Sequence, residues 1–277
     1  MSATPLTDFS RLCVHTITTK PWSIEEATEK YAEAGVAGMT VWRQWLDGRD
    51  IAATGERIRA AGIDVVSLCR GGFFPATDPI DRATAIDDNL LAIDEAEALG
   101  APLIVLVCGA DPGQPLEASR DQILRGIEAV LPRCEETNIK LAIEPLHPMY
   151  ADTRSAVNTL RTANDMCDKI NHPLLGVTID VYHLWWDPEL KEQIERCGQA
   201  GRIFSYHVCD WRSPTEDMLN DRGLMGEGCI DNRLIRGWVE EQGFTGPIEV
   251  EIFSNRYWES DQNEFLEKIK QAYLDCT

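Results

Sequence analysis

The sequence predicts an α/β fold and, within that class, a single (β/α)8 TIM barrel. The chain has 277 residues, close to the roughly 250 that one such barrel needs. Apolar runs of strand length alternate eight times with longer amphipathic stretches, and no linker or low-complexity tract divides the chain. We therefore interpret residues 1–277 as one domain with its active site at the carboxyl ends of the strands. A miscount of one strand would instead give an open, doubly wound sheet.

Each predicted strand is a short run dominated by apolar residues. The run at residues 103–108 is almost entirely apolar, as expected of a parallel strand that is buried on both faces. After the third strand, the glycine-rich and aromatic segment from Arg70 to Pro75 predicts a loop that forms a lid or a pocket wall. The eight predicted strands span residues 11–16, 39–42, 63–69, 103–108, 141–144, 176–180, 202–207 and 248–252.

Between the strands, apolar residues recur with helical spacing, and capping residues mark several ends. Gly35, Gly62 and Gly100 stand just past predicted helices, where a left-handed residue commonly closes the last turn. Ser119 and Asp231 are the predicted N-caps of the fourth and seventh helices. The eight predicted helices span residues 24–34, 50–61, 81–99, 119–137, 153–168, 188–197, 231–242 and 259–274.

Composition and charge restrict the class of protein. The formal net charge of −20 argues against an extended nucleic-acid surface, which must be basic, but not against a metal or a small ligand. The nine cysteines form no CxxC pair, and several lie inside apolar runs, so we expect reduced core residues. The N-terminus lacks the apolar core of a signal peptide, and no apolar run reaches membrane length. We expect a cytoplasmic protein without a membrane or nucleic-acid partner.

The stretch at residues 141–148 carries the first chemical signal. It reads Leu-Ala-Ile-Glu-Pro-Leu-His-Pro, an apolar strand followed by a carboxylate, a proline and an imidazole. Pro145 cannot donate to the ladder of a central strand, so the strand must end there. Glu144 therefore lies at a carboxyl end, with His147 on the loop beyond it. In parallel α/β folds, ligands bind at this edge of the sheet.

The next three strands end in the same way, in Asp180, His207 and Glu251. In each strand the apolar neighbours have the opposite parity, so the polar side chains point into the barrel mouth. Converging carboxylates would repel one another unless a cation lay between them. This mostly oxygen set with one nitrogen suits Mn²⁺, Mg²⁺ or Co²⁺ better than a sulfur-rich zinc site would. A single strand-end aspartate is more often an N-cap than a ligand, but the agreement of four strands favours a metal site.

Other residues are placed to complete such a site. Glu249 points into the barrel one layer below Glu251, where we expect it to pair with a buried cation or hydroxyl, or to be the ligand if the register differs. The loop from Gly223 to Asp231 is glycine-rich but follows no strand directly, which favours an active-site loop over a dinucleotide site. Imidazole, carboxylate, guanidinium and aromatic groups near the strand ends suit the recognition of hydroxyls or anions. The predicted substrate-binding residues are His183, Asp210, Arg212, Trp42 and Arg70.

These motifs resemble those of the xylose-isomerase-like TIM-barrel superfamily, and they look most like its sugar isomerase and epimerase branch. The matching positions are Glu144, Asp180-x-x-His183, His207, Glu251 and the Gly-x-Gly-x-Ile-Asp loop at residues 226–231. The resemblance covers essentially the whole chain. It implies one divalent ion of Mn²⁺ type, held by the Glu, Asp, His and Glu of these strands. The ion polarises a ketose oxygen while the two glutamates exchange a proton with the neighbouring carbon.

One segment departs from the pattern of ketose 3-epimerases. Those enzymes follow the first glutamate with Asn-type residues and a second glutamate, whereas this chain reads Glu144-Pro-Leu-His147. The segment resembles instead the catalytic subunit of C-glycoside deglycosidases, relatives that cleave 3-oxo-glycosides. This resemblance implies that His147 is the acid–base group. It leaves open a small β-rich partner subunit or a homo-oligomer.

The leading hypothesis is metal-assisted enolisation of a keto-sugar or 3-oxo-glycoside, with deglycosidase-type cleavage through His147 as the specific prediction. The alternative is a sugar isomerase or epimerase that uses Glu144 and Glu251. A zinc-dependent apurinic endonuclease has the same barrel but needs histidines on the second and third strand ends, where this chain has Trp42 and Arg70. A non-enzymatic sugar-binding barrel is the remaining alternative.

Overall fold

Eight parallel strands close into a barrel in the computed structural model, which describes residues 3–277. Each strand pairs with the next along the chain, and the last pairs in parallel with the first. The closed ring confirms the predicted barrel and excludes the open sheet. The strands are β1 (Leu12–His15), β2 (Gly38–Trp42), β3 (Asp64–Gly72), β4 (Leu103–Val107), β5 (Lys140–Ile143), β6 (Leu175–Asp180), β7 (Ile203–Val208) and β8 (Ile248–Val250).

Eight long helices alternate with the strands, and local chemistry fixes their ends. Ser23 begins the first helix in a capping box with Glu26, in which each side chain accepts the backbone N–H of the other residue. Gly35 and Gly100 end two helices in the left-handed conformation, and Asp231 is an N-cap, all as predicted. The helices are α1 (Ile24–Ala34), α2 (Ile51–Ala60), α3 (Pro79–Leu99), α4 (Leu116–Thr137), α5 (Leu160–Ile170), α6 (Leu190–Gln199), α7 (Asn232–Glu241) and α8 (Gln262–Cys276).

Short elements of secondary structure follow the carboxyl ends of several barrel strands. A two-stranded antiparallel ribbon follows β7, and single helical turns follow several other strands. These elements are the ribbon strands Asp210–Trp211 and Arg222–Gly223, the short helices Val181–Leu184 and Asn255–Trp258, and the 3-10 turns Arg43–Trp45 and Pro148–Tyr150.

The predicted loop after the third strand is wrong in its first half. β3 continues through Arg70 to Gly72, because Gly71 and Gly72 still pair with Leu106 and Val107 of β4. Arg70 therefore lies within the last three residues of the strand, and the loop begins only at residue 73.

Two predicted helix starts are also wrong. The fourth helix begins at Leu116, ahead of Ser119, because Pro115 in extended conformation occupies the N-cap position. Ser119 lies inside the helix and is buried. The fifth helix begins at Leu160 rather than at residue 153, because Thr159 is its N-cap and the preceding residues form turns.

The barrel interior is polar near its mouth. Glu249 is buried there, and its carboxylate accepts hydrogen bonds from the hydroxyls of Thr40 and Ser205, each at 2.6 Å. His15 Nε2 lies 3.2 Å from the same carboxylate. The predicted pairing of Glu249 with buried hydroxyls is thus confirmed. The strand residues of opposite parity form the apolar layer beneath the helices and are fully buried: Val177, Ile179, Tyr206, Val250 and Ile252.

The cysteines agree with the expectation of reduced core residues. All nine are free, and seven of them are buried; Cys229 is exposed and Cys276 is partly exposed. Among residues 3–277, no helix combines the length and the apolar character needed to cross a membrane.

We expect Gly55→Ala to destabilise the protein, although alanine is the better helix former. Gly55 lies in α2, and a Cβ added there would stand 2.1 Å from the carbonyl oxygen of Leu99 at the end of α3. Because backbone would have to move, the free energy of unfolding should fall by about 1–3 kcal/mol. Urea unfolding followed by circular dichroism would measure the loss.

The control for this substitution is Glu56→Ala, one residue further along the same helix on its exposed side. Its stability should stay within about 0.5 kcal/mol of the parent. Equal stability of the two variants would contradict the close approach of α2 to the end of α3.

Candidate metal centre

Four predicted side chains meet at the carboxyl ends of β5 to β8. One ligand-type atom from each of Glu144, Asp180, His207 and Glu251 lies within 4.8 Å of those of the other three, and all four residues are buried. His207 Nδ1 lies 3.1 Å from Glu144 Oε1 and 3.9 Å from Glu251 Oε2. Its distance to Asp180 Oδ2 is 4.0 Å. We refer to these four residues as the carboxylate cluster.

The strand geometry places these side chains. The backbone N–H of Glu144 donates to Leu106 O of β4 at 3.1 Å, which extends the sheet ladder by one residue before Pro145 ends it. Asp180 ends β6, and its two oxygens act separately. Oδ1 accepts the N–H of Tyr182 at 2.7 Å as an N-cap, whereas Oδ2 faces the cluster. The capping and cluster interpretations of Asp180 therefore both describe this residue.

Three atoms of the cluster are buried without a hydrogen-bond partner in the described part of the chain: Glu144 Oε1, His207 Nδ1 and His207 Nε2. The short contact between Glu144 Oε1 and His207 Nδ1 does not have hydrogen-bond geometry. Buried polar atoms are rarely left unpaired in proteins. Carboxylate oxygens and imidazole nitrogens are also metal ligands, so these atoms fit a divalent cation.

The electrostatics of the cluster also favour a cation. Burial, reinforced by the charges of Glu251 and Glu144, raises the pKa of Asp180 to about 7 despite the nearby guanidinium of Arg222. Burial would lower the pKa of His207, but the surrounding carboxylates raise it to about 10. The neighbouring carboxylates raise the pKa of both groups, in addition to the effect of burial on Asp180. A bound divalent cation would supply positive charge in place of bound protons.

Arg222 belongs to this cluster, although no sequence pattern predicted it. Its side chain is 3% exposed; Nη1 donates to Glu251 Oε2 at 2.6 Å and lies 3.3 Å from Asp180 Oδ2. Nη2 lies 3.3 Å from His183 Nε2. The guanidinium reaches the cluster from the antiparallel ribbon after β7. It carries one positive charge against the three carboxylates of the cluster, so negative charge remains in excess.

His15 is a second residue of the site that was not predicted. It is fully buried, with Nε2 3.2 Å from Glu249 Oε2 and Nδ1 3.2 Å from Glu251 Oε1. Burial and the charge of His207 would lower the pKa of His15, but its hydrogen bonds to the two glutamates raise it overall. His15 ends β1, so the strand-end rule that selected the residues of the carboxylate cluster also applies to it.

Glu144 and Glu251 of the cluster line a small cavity. Its volume is about 20 Å³, which is space for about one water molecule or ion. Trp42 and His183, both predicted to bind substrate, line this cavity together with Leu219. The hydroxyls of Tyr150 and Tyr182 donate to the carbonyl oxygen of Met218, the latter at 3.1 Å, and hold the loop before Arg222 over the mouth.

His147 is not among the residues that line the cavity. Its Nδ1 accepts the N–H of Met149 at 3.2 Å, and its ring packs 4.9 Å from that of Trp211 and 5.7 Å from that of Trp186. The backbone N–H of His147 donates to His183 Nδ1 at 3.3 Å. His147 thus caps a 3-10 turn and supports the neighbouring imidazole. Its catalytic role remains a prediction.

Three other predicted substrate-binding residues lie outside the cavity lining. Asp210 is buried and accepts the N–H groups of Gly226 and Ile230, each at 2.9 Å, so it shapes the glycine-rich loop. Arg212 pairs with Asp221. Arg70 lines a neighbouring groove of about 490 Å³ rather than the cavity itself.

Comparison with known proteins places these features in a family. The family model described as xylose isomerase-like TIM barrel matches residues 28–272. The crystal structure of protein SMc04130 from Sinorhizobium meliloti 1021 is 42% identical, with a TM-score of 0.94, and the match covers 97% of this chain and 99% of that one. A crystal structure of the IolI protein with a bound zinc atom is 20% identical, with a TM-score of 0.81 and coverage of 96% and 97%, and shows the shared fold.

Curated relatives include inosose isomerases of Bacillus species. The protein from Bacillus velezensis is 24% identical over 246 residues, which are 83% of this chain and 81% of the relative. The match to the protein from Bacillus subtilis is 28% identical and spans about half of the length of that relative. The family model, by contrast, covers most of the present sequence. The chain belongs to the xylose isomerase-like TIM barrel family.

Proposed function

We propose that this protein is a divalent-metal-dependent isomerase or epimerase of a keto-sugar. The observation that carries the proposal is the buried carboxylate cluster, in which four ligand-type atoms converge and those of Glu144 and His207 lack hydrogen-bond partners. Similarity to relatives named inosose isomerase supports the same reaction class. The absence of histidine at the ends of β2 and β3, together with the net charge of −20, argues against the endonuclease alternative.

The four residues of the carboxylate cluster would hold the ion. A divalent cation bound there supplies Lewis-acid stabilisation of the negative charge that develops on substrate oxygens as a proton leaves carbon. Three carboxylates and one imidazole suit Mn²⁺ best, followed by Mg²⁺ or Co²⁺. The zinc atom of the IolI structure is a property of that protein.

Glu144 and Glu251 are the residues to which we assign the proton transfer. Glu144 offers one oxygen to the ion and lines the cavity, so its second oxygen can accept a proton. Burial would raise the pKa of Glu251, but Arg222 and His15 hold it well below its usual range, so this carboxylate is ionised as a base must be. The two carboxylates come from different strands, which allows one to remove the proton and the other to return it.

Arg222 and His183 complete the cavity wall beside the two glutamates. Burial, followed by the charge of Arg222, holds the pKa of His183 well below its usual range, so this imidazole is neutral at pH 7. A guanidinium and a neutral imidazole can each donate a hydrogen bond to a substrate oxygen. We assign to these two residues the orientation of the keto-sugar.

The isomerase or epimerase assignment replaces deglycosidase-type cleavage as the favoured reaction. Cleavage was predicted from His147, whose imidazole in this structure packs against Trp211 and lies outside the cavity lining. Glu144 and Glu251, by contrast, both line the cavity. The residues that face the substrate space are therefore those of the isomerase and epimerase mechanism.

The first prediction concerns the metal. Protein purified without chelator should contain about one divalent ion per chain and lose both ion and activity on dialysis against EDTA, with Mn²⁺ restoring activity best. Asp180→Ala and His207→Ala should each lose the ion, because each removes one of four ligands. Inductively coupled plasma mass spectrometry would measure the content. Asp187→Asn, a buried carboxylate outside the cluster, should keep the ion. A metal-free yet fully active protein would contradict the proposal.

The second prediction concerns proton abstraction. Metal-loaded protein incubated with a keto-sugar in D₂O should introduce deuterium at the carbon next to the carbonyl, because isomerisation and epimerisation share this step. Glu144→Gln should slow the exchange by about 10²–10⁴-fold, the usual contribution of a general base. Proton NMR would follow the exchange. Glu192→Gln, on the exposed side of α6, is the control and should exchange at the parent rate. Turnover without any deuterium incorporation would refute the mechanism.

The third prediction separates His147 from the proton transfer. His147→Ala should isomerise at close to the parent rate, and its free energy of unfolding should fall by about 1 kcal/mol, because the turn loses its cap and Trp211 loses a packing partner. Steady-state rates with a ketose and with a 3-oxo-glycoside would be compared in metal-replete protein. A loss of about 10²–10⁴-fold with the metal retained would return the acid–base role to His147.

A further inference from the structure

Two half-buried arginines near the barrel mouth have no acidic partner. Within residues 3–277, the side chains of Arg70 and Arg154 make neither a hydrogen bond nor an ion pair. The other buried or half-buried arginines of the same range pair with carboxylates or donate to carbonyl oxygens. Asp88 is the carboxylate whose charge acts on the pKa of Arg70. Both oxygens of Asp88 already accept hydrogen bonds from Arg43, at 2.8 and 3.0 Å. The acidic chain thus leaves two guanidiniums without a partner.

Both guanidiniums stack on rings that belong to one small apolar cluster. Arg70 Cζ lies 4.2 Å from the ring centre of Phe73, and Arg154 Cζ lies 5.6 Å from that of Tyr150. Phe73 packs against the cluster that contains Tyr150 and Val107. Stacking fixes the plane of a guanidinium and leaves its N–H edge free for a ligand. The two arginines are therefore held in place before any ligand binds.

The two arginines line two different pockets. Arg154 lines the cavity beside Glu144, and Arg70 lines the groove of about 490 Å³. The two guanidiniums stack on Phe73 and Tyr150, which pack in one small apolar cluster, so they lie on the same side of the barrel mouth. Burial, and then the charge of Arg154, lower the pKa of Arg70. The other two arginines of the groove pair with carboxylates: Arg43 with Asp88 and Glu95, and Arg49 with Glu25. Asp47, which also lines the groove, is exposed.

We propose that Arg70 and Arg154 form a subsite for an oxyanion, so that the keto-sugar substrate carries a phosphate ester or a carboxylate at the end remote from its carbonyl. This inference rests on the proposed function, because it places the carbonyl in the cavity and the anion in the groove. Phosphate and carboxylate share the chemistry that a guanidinium fork recognises, namely two oxygens that accept parallel N–H groups. An anion between the arginines would also relieve their mutual repulsion.

Isothermal titration calorimetry on the metal-loaded protein would test the subsite. The probes are D-fructose, D-fructose 6-phosphate and 5-keto-D-gluconate, which are a neutral ketose, its phosphate ester and a keto acid. At least one anionic probe should bind about tenfold or more tightly than D-fructose, and added salt should weaken that preference. Arg70→Gln and Arg154→Gln should each reduce the preference about tenfold. The control Arg125→Gln, an exposed arginine of α4, should retain it.

The outcomes distinguish the two anions and can overturn the subsite. Tightest binding of D-fructose 6-phosphate assigns a phosphate ester, and tightest binding of 5-keto-D-gluconate assigns a carboxylate. Equal affinity for the three probes, no binding of any probe, or a preference that survives both substitutions overturns the proposal.

Two further controls keep the test independent of folding and of turnover. Should circular dichroism show that a glutamine variant does not fold, Arg70→Lys and Arg154→Lys replace it; they keep the charge but lose the planar fork, and should retain only part of the preference. Calorimetry measures affinity without turnover. Tighter binding of an anionic probe without deuterium exchange would therefore contradict the proposed function but not the subsite. Exchange without an anionic preference would remove the subsite alone.

Discussion

The concentration of buried carboxylates at the barrel mouth is the constraint on which the rest of the site depends. A buried charge without a partner costs several kcal/mol, so each carboxylate must be compensated. Glu249 is compensated by two hydroxyls and His15, and Glu251 by Arg222 and His15. Glu144 Oε1 has no hydrogen-bond partner, and Asp180 Oδ2 has only a longer contact, at 3.3 Å, with Arg222. The negative charge beside Glu144 and Asp180 is therefore not fully balanced by the protein, and a divalent cation would balance it.

The barrel brings the charged residues together, and its loops lie beside them. Parallel strands bring their carboxyl ends together, so residues far apart in the chain meet within a few ångströms of one another. The loop that Tyr150 and Tyr182 hold through the carbonyl of Met218 lies beside a small cavity. In a small buried space electrostatic interactions are stronger than in water, which would favour stabilisation of an enolate in the reaction that we propose.

The sequence predicted the fold and much of the cluster because both depend on periodic patterns. Strand parity was enough to direct Glu144 and Glu249 inward. His15 follows the same strand-end rule and could have been included. Arg222 could not, because it arrives from a ribbon whose path depends on tertiary contacts. His147 shows the same limit: its flanking prolines indicate a stiff turn, but the direction of the imidazole depends on tryptophans from other segments.

Anomalous diffraction from crystals grown with Mn²⁺ would test the central claim most directly. The account predicts one strong anomalous peak at about 2.0–2.3 Å from a ligand atom of each of Glu144, Asp180, His207 and Glu251. Arg222 should remain beside Glu251 without entering the coordination shell. A peak elsewhere in the molecule, or a cluster that stays free of metal at saturating Mn²⁺, would contradict the account.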